Sequence, residues 1–263
     1  MTRLIARLAD RSWPDLAGRK PLVVLPLGSC EQHGPHLPLD TDLAVAQDVA
    51  ERTVALLSDD TSILVAPGQP YGASGEHEGF PGTVSIGHEA LSLLIVELGR
   101  SMLRWAGRLL VINGHGGNLP SMPAAVATLR REGCDAAWWP CLPAGGDLHA
   151  GHAETSMMLA LRSAAVHAER AVAGPCEPIE RLMDRLMAKS VRGVSESGVL
   201  GDPAGASAQQ GEKLLAGMAA RLARDIRAWR VNEQGRLAAR PPAPVGSPAA
   251  GPASASAATG AQA

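Results

Sequence analysis

Four cysteines (Cys30, Cys134, Cys141 and Cys176) in 263 residues are too few and too scattered for a disulfide framework, and none form a Cys-x-x-Cys pair. They read as reduced thiols, which suits a cytoplasmic protein. An excess of one charge is also missing. The net charge is −2 and the pI about 6.4, so no basic stripe points to nucleic acid or an anionic membrane as partner. Long apolar runs are absent as well: the stretch 90–96 falls far short of the roughly 20 residues that span a bilayer. The first ten residues are charged throughout and hold no signal-peptide core. Aromatics are scarce, with one Tyr, one Phe and five Trp, while alanine, glycine and leucine abound. What remains is a chain with 46% hydrophobic residues, enough to bury one large core or two small ones.

Short apolar runs alternate with helical patterns. Strands are expected at 22–27, 62–66, 109–112 and 136–139, and continuous runs such as Leu22-Val23-Val24-Leu25 suit strands covered on both faces. Helices are expected near 42–57, 87–105, 119–132, 151–162 and 177–189. A last helix carries Leu214, Met218, Leu222, Ile226 and Trp229 on one stripe, with Ser207 and Gln210 fitting a capping box at its start. The alternation argues for a layered α/β domain over residues 1–235. From 236 the chain turns to proline, alanine and glycine and is expected to be a disordered tail.

Two glycine- and proline-rich segments follow expected strands, where ligands bind in open α/β sheets. The first runs from Leu27 to Asp42 and contains Glu31, His33, His36, Asp40 and Asp42; the second is Asn113-Gly114-His115-Gly116-Gly117-Asn118. If the first strand extends to Glu31 and His33, their side chains leave on one face. Asp40-Thr41-Asp42 stands at a helix start, where one aspartate suffices as a cap and the other is free to ligate. A histidine in a tight turn is in itself a bland feature of the second segment. Jointly the residues supply oxygen and nitrogen ligands suited to zinc, manganese or iron(II). A third segment, Gly146 to Ser156, adds Glu154 in the first turn of a helix and His149 as an acid or base, with His152 on another face. A glycine-rich loop holding Tyr71, His77 and Phe80 reads as facing substrate, or else as an ordinary solvated loop.

These residues together resemble the creatininase family of metal-dependent amidohydrolases. The match rests on Gly28, Glu31-Gln32-His33-Gly34-Pro35-His36-Leu37-Pro38, Asp42, Asn113-Gly114-His115, His149-Ala150-Gly151 and Glu154-Thr155. The resemblance implies a three-layer α/β/α sandwich with a mostly parallel sheet. It also implies two divalent metal ions per subunit (zinc or iron(II), with manganese an alternative), hydrolysis of a C–N amide bond, and a homo-oligomer. Carried over, Asp42 bridges the metals, Glu31 and His115 serve one, and His33 the other. Creatinine-hydrolysing members have a glutamate two residues after the histidine equivalent to His115; here that position is Gly117, and Glu154 is expected to fill the vacancy. Tyr71 to His77, Phe80 to Thr83, Asp147 to Ser156 and Gly198 to Pro203 are similar to the mycofactocin-maturation peptidase subfamily. Leu148, where that subfamily usually has alanine, and the long tail are departures. The subfamily's substrate is a modified ribosomal precursor peptide, from which the cross-linked C-terminal Val-Tyr unit is released.

On this reading the metals activate water and polarise the carbonyl, while His149 passes a proton to the leaving amine. The Gly116 and Gly117 amides, at the mouth of a helix, help to hold an anion; His77 and Tyr71 face the substrate. Three other readings stand beside it. The substrate could be a small cyclic amide or formamide, Cys30 could be a nucleophile, or the chain could be a metal-stabilised binding protein without catalysis.

Overall fold

Strand β1 (Leu22–Leu27) is apolar at every position because both of its faces are covered. In the computed structural model, which describes residues 7–57 and 62–237, it lies inside a four-stranded parallel sheet. The order is β2 (Ile63–Val65), β1, β3 (Arg108–Asn113), β4 (Ala136–Pro140). Proline inside an inner strand normally breaks a ladder. Pro26 is tolerated because its carbonyl accepts from the Gln69 amide beyond the end of β2, so its missing N–H falls where that side of the ladder has stopped.

Strand alternation sends successive side chains to opposite faces, which builds two separate cores. Leu22, Val24, Leu110, Ile112, Ala137 and Trp139 pack with α2 (Thr41–Leu57), α5 (His152–Arg162) and α7 (Ala208–Ala228). Val23, Leu25, Leu109, Val111, Ala136 and Trp138 pack with α3 (Gly87–Met102) and α4 (Ser121–Arg131). The result is the expected α/β/α sandwich. Two further helices, the short α1 (Trp13–Leu16) and α6 (Ile179–Lys189), complete the α-helices among the described residues. At the start of α7 the Ser207 hydroxyl accepts from the Gln210 amide, the side-chain half of the expected capping box. No helix among the described residues is long and apolar enough to cross a membrane.

The expected tail boundary shifts. Arg236 bridges to Trp138, and Leu237 is buried and donates its amide to the Trp138 carbonyl, so both belong to the ordered domain. The rest of that segment lies outside the described residues.

From β1 the chain crosses to β2 on one side and later to β3 on the other. The carboxyl ends of β1 and β3 therefore flank the point where the winding reverses, the place where such sheets bind ligands. The first turn of α2 sits directly on this crevice. A methyl at Gly114, the residue after β3, would come within 2.5 Å of the Asp42 carbonyl, so only glycine lets the loop lie this close to α2.

Candidate metal centre

The first ligand-bearing segment is not a strand extension. β1 ends at Leu27, and residues 28–40 fold into a tight turn instead. The Glu31 amide donates to the Leu39 carbonyl, His33 bridges to Pro35 and Leu37, and Gly34 takes a left-handed φ of 65°. Glu31 and His33 still converge, both fully buried, because the turn curls back over α2. The second segment forms a 3-10 turn at Gly116–Asn118 laced by asparagines. Asn113 Nδ2 donates to the His115 carbonyl, and Asn118 Nδ2 donates to both Asn113 Oδ1 and the Gly28 carbonyl. In the third segment, Asp147 accepts from the His152 and Ala153 amides and caps α5. Ala150, at φ 57°, turns the chain sharply and donates its amide to Glu154 Oε2 at 2.6 Å. For a non-glycine residue this conformation costs about 1–2 kcal/mol. It is held where it points a donor at a carboxylate.

These three turns bring Glu31, His33, Asp42, His115, His149 and Glu154 together. Three groups could each hold a metal ion: Glu31, His33 and His149; Glu31, Asp42 and His115; and His33, Asp42 and Glu154, with the ligand atoms of each within 4.8 Å of one another. Asp42 is shared through different oxygens, Oδ1 lying 3.1 Å from His33 Nε2 and Oδ2 3.3 Å from His115 Nδ1. Glu154 Oε2 is 3.8 Å from His33 Nε2, and Glu31 Oε2 is 3.1 Å from His115 Nε2. His33 Nδ1 lies 3.2 Å from the Glu31 carbonyl, an acceptor, so this nitrogen carries a proton and Nε2 faces the carboxylates. That backbone anchor is the arrangement typical of metal-bound histidine.

The donor set fits a divalent cation. Glu31 Oε1 and Oε2, Asp42 Oδ2 and His115 Nε2 are buried yet have no hydrogen-bond partner, although oppositely polar atoms lie near them. They are close to one another but not aimed at one another, as expected of ligands directed at a common point. Leaving each such group unsatisfied costs about 1–3 kcal/mol, a cost that a cation removes. The protonation of the cluster says the same. Burial alone would push His33 toward the neutral form, but Asp42, Glu154 and Glu31 raise it to about 10. Burial likewise opposes the charge on His115, yet Glu31, Asp42 and Glu76 hold it well above its ordinary value. For Asp42, burial is outweighed by His33 and His115, and its carboxyl lies well below the usual range. Burial, with Asp42 and Glu31 adding, raises Glu154 to about 7 despite the opposing His33. Carboxylates at this density demand positive charge.

The remaining candidates are placed as follows. His77 does not face open solvent: it is buried, with Nε2 3.3 Å from Glu31 Oε1, and burial lowers its pKa. Tyr71 is 44% exposed. Gly116 and Gly117 are not at a helix mouth, because the 3-10 turn precedes α4, which begins at Ser121. Open space surrounds the Cβ direction of Gly116. At Gly117 a Cβ would lie 2.2 Å from Glu76 Oε1 and 2.4 Å from His115 Nε2. His36 is buried against the Thr155 hydroxyl at 2.9 Å, away from the ligand groups. Cys30 Sγ donates to the Gly82 carbonyl, and burial with Asp40 and Glu31 pushes its pKa up, which is the wrong direction for a nucleophile.

Sequence reasoning missed Glu76. Its Oε1 lies 3.2 Å from His115 Nε2, a fourth carboxylate beside Glu31, Asp42 and Glu154. The available signal was Gly117: a glycine two residues after a candidate ligand histidine leaves room for a side chain from another loop.

A model of the creatininase family, described as creatinine amidohydrolase, matches residues 9–226. A mycofactocin precursor peptide peptidase from Mycolicibacterium smegmatis is 49% identical over 219 residues, covering 82% of this chain and 89% of that protein. One from Mycobacterium tuberculosis is 47% identical over 240 residues, covering 89% and 96%. The creatinine amidohydrolase of Pseudomonas putida is 32% identical over 188 residues, 59% of this chain and 69% of that one. Among solved structures, "Creatininase Mn" is similar with a TM-score of 0.69 at 25% identity, covering 86% of this chain and 99% of that one.

Proposed function

The chain belongs to the creatininase family, and from that premise we propose that it is a metal-dependent peptidase acting on the modified mycofactocin precursor peptide, from which it releases the C-terminal cross-linked Val-Tyr unit. The observation that carries the chemistry is the buried set of unsatisfied carboxylate and imidazole atoms around Asp42. The peptide substrate is supported by relatives of that name at 47–49% identity along most of their length.

Two divalent ions sharing Asp42 would supply Lewis acidity toward the scissile carbonyl and an activated water. Glu31, Asp42 and His115 would hold one of them, and His33, Asp42 and Glu154 the other; the oxygen and nitrogen donors admit zinc, iron(II) or manganese. His149 Nδ1, 3.6 Å from Glu31 Oε1, would carry the proton that the leaving amine requires. Burial beside His33 and His77 keeps this imidazole neutral, with its pKa well below the ordinary value, so it returns a proton readily. Glu154, at about 7, would exchange a proton near neutral pH as well as ligate. Exposed Tyr71 would contact the peptide, with buried His77 beside Glu31 and the amides of the Gly116-Gly117 turn as further substrate contacts.

The same proposal includes a homo-oligomer and a cytoplasmic location. Exposed Trp13, Leu93 and Met187 are available for subunit contact, and the four cysteines are free thiols. Native mass spectrometry tests the assembly.

The test of function is mass spectrometry of the modified peptide incubated with metal-loaded protein, with chelated protein, and beside creatinine as a competing substrate. Release of the C-terminal dipeptide only by loaded protein is expected. Turnover of creatinine alone would move the assignment to the small-amide reading, and tight metal binding without any turnover to the binding-protein reading. Full activity after exhaustive chelation, with no metal left by elemental analysis, would overturn the metal mechanism.

A further inference from the structure

Gln32 stands between two ligand candidates, Glu31 and His33, but belongs to none of the metal groups. Its amide is buried and lies against His77, His149 and the backbone at Gly198. Its orientation is fixed from one end: Oε1 accepts from the Gly34 amide at 2.8 Å. Nε2 therefore presents two protons to three neighbours, namely His77 Nδ1 at 2.8 Å, His149 Nε2 at 2.9 Å and the Gly198 carbonyl at 3.1 Å.

The donor inventory settles which neighbours receive them. His149 Nε2 is also 2.8 Å from the backbone carbonyl of Gln32, which can only accept. His149 Nε2 therefore carries a proton and cannot accept one from the amide. The Gly198 carbonyl can only accept, so it takes one amide proton, and His77 Nδ1 takes the other. His77 then carries its own proton on Nε2, which lies 3.3 Å from Glu31 Oε1 but is not aligned on it as a hydrogen bond. His149 is left with its lone pair on Nδ1, 3.6 Å from the same oxygen. We propose that Gln32 is a positioning residue that sets these two imidazoles in opposite roles, His77 with its N–H on the side of Glu31 and His149 as the basic nitrogen facing the cluster. Two rings only 4.5 Å apart, centroid to centroid, are thus given different work by one amide. Gly198 belongs to the device. It sits at φ +83°, and a Cβ there would lie 1.8 Å from Gln32 Oε1, so the amide packs flush on bare backbone.

The assignment of a proton-carrying role to His149 rests on the hydrolase reading; the tautomers do not. Long-range proton–nitrogen spectra of the zinc-loaded protein carrying nitrogen-15 histidine, assigned with single-histidine variants, read the tautomers directly. His77 and His149 are both expected to be protonated on Nε2, with bare Nδ1. A proton on Nδ1 of either ring in the native protein overturns the proposal whether or not any peptide is cleaved. In Gln32→Glu, which keeps the shape but loses the donors, His77 is expected to gain a proton on Nδ1. Peptidase kcat is expected to fall about 10- to 100-fold, as for other outer partners of metal sites, with KM moving far less. Gln32→Glu that retains the native His77 tautomer and native kcat also overturns it. Native tautomers in a protein that cleaves no amide would sink the hydrolase reading and uphold the hydrogen-bond assignment.

Discussion

Adjacent glycines in one turn face opposite environments, so the same substitution at each should give opposite results. At Gly117 an added methyl would meet three atoms: Glu76 Oε1 at 2.2 Å, His115 Nε2 at 2.4 Å and the Ala73 carbonyl at 2.7 Å. Glu76 is the end of a flexible, 35% exposed side chain and can swing out at little cost. The other two cannot: His115 is wedged between Glu31 and Asp42, and Ala73 O is backbone whose own amide is tied to Asn118. Overpacking of this kind costs about 1–3 kcal/mol. If that cost falls on the His115 position, metal affinity should drop about 5- to 150-fold, since 1.4 kcal/mol is tenfold. At Gly116 nothing lies within 4 Å of the added methyl, so the change should stay within about 0.5 kcal/mol. Gly117→Ala and Gly116→Ala would be compared by urea denaturation of the metal-loaded proteins and by zinc competition against a chromophoric chelator. Equal zinc affinities for the two variants would refute the placement of Gly117 against a metal-binding His115.

Zinc binding should strengthen as pH rises. His33, held at about 10, and Glu154, held at about 7, must both give up protons to ligate, so the metal competes with protons below those values. The gap in melting temperature between zinc-loaded and stripped protein should therefore widen between pH 6 and 9; a gap that narrows over that range contradicts the signs. Asp42→Asn should weaken metal binding at both positions that include this residue, because it removes the negative charge they share and one of the two oxygens that face them; elemental analysis showing a full complement would be fatal to the shared-ligand geometry. Cys30→Ser should keep peptidase activity within about twofold of native, since the thiol is a hydrogen-bonded group of raised pKa with no part in the chemistry. Trp139→Phe should cost about 1–3 kcal/mol in urea denaturation, because the Trp139 indole N–H donates to buried Asp225 Oδ2 at 2.9 Å and phenylalanine leaves that oxygen unpaired.

The layers were legible because burial on both faces writes itself into the strands as unbroken apolar runs. Leu22 to Leu25 could not have been a half-exposed strand, and β-α alternation left few topologies. The candidate ligands were legible for a different reason: Glu31, His33, Asp42 and His115 sit where a strand hands over to glycine-rich backbone, a local pattern. What could not be read locally is which loop fills which gap. An extension of the first strand to Glu31 and His33 would have put both side chains on one face, but the chain brings them together with a left-handed Gly34 and a tight turn instead. Arg236 and Leu237 looked like tail because their proline-rich sequel dominates the composition, whereas their partner Trp138 lies about a hundred residues away.

Glu76 shows the limit most clearly, and what lies beyond it. A ligand set is a property of a volume, and a volume can be filled from any loop that reaches it. A side chain at position 117 and the Glu76 carboxylate compete for the same few ångströms above His115, so glycine at one is the condition for glutamate at the other. The pair is separated by 41 positions, and no periodicity links them. The same logic governs Gln32 and Gly198, where an amide can lie between two histidines only because the facing residue has no side chain. In both cases the informative residue in the sequence is the glycine, and its meaning is supplied by the polar group that occupies the space it leaves.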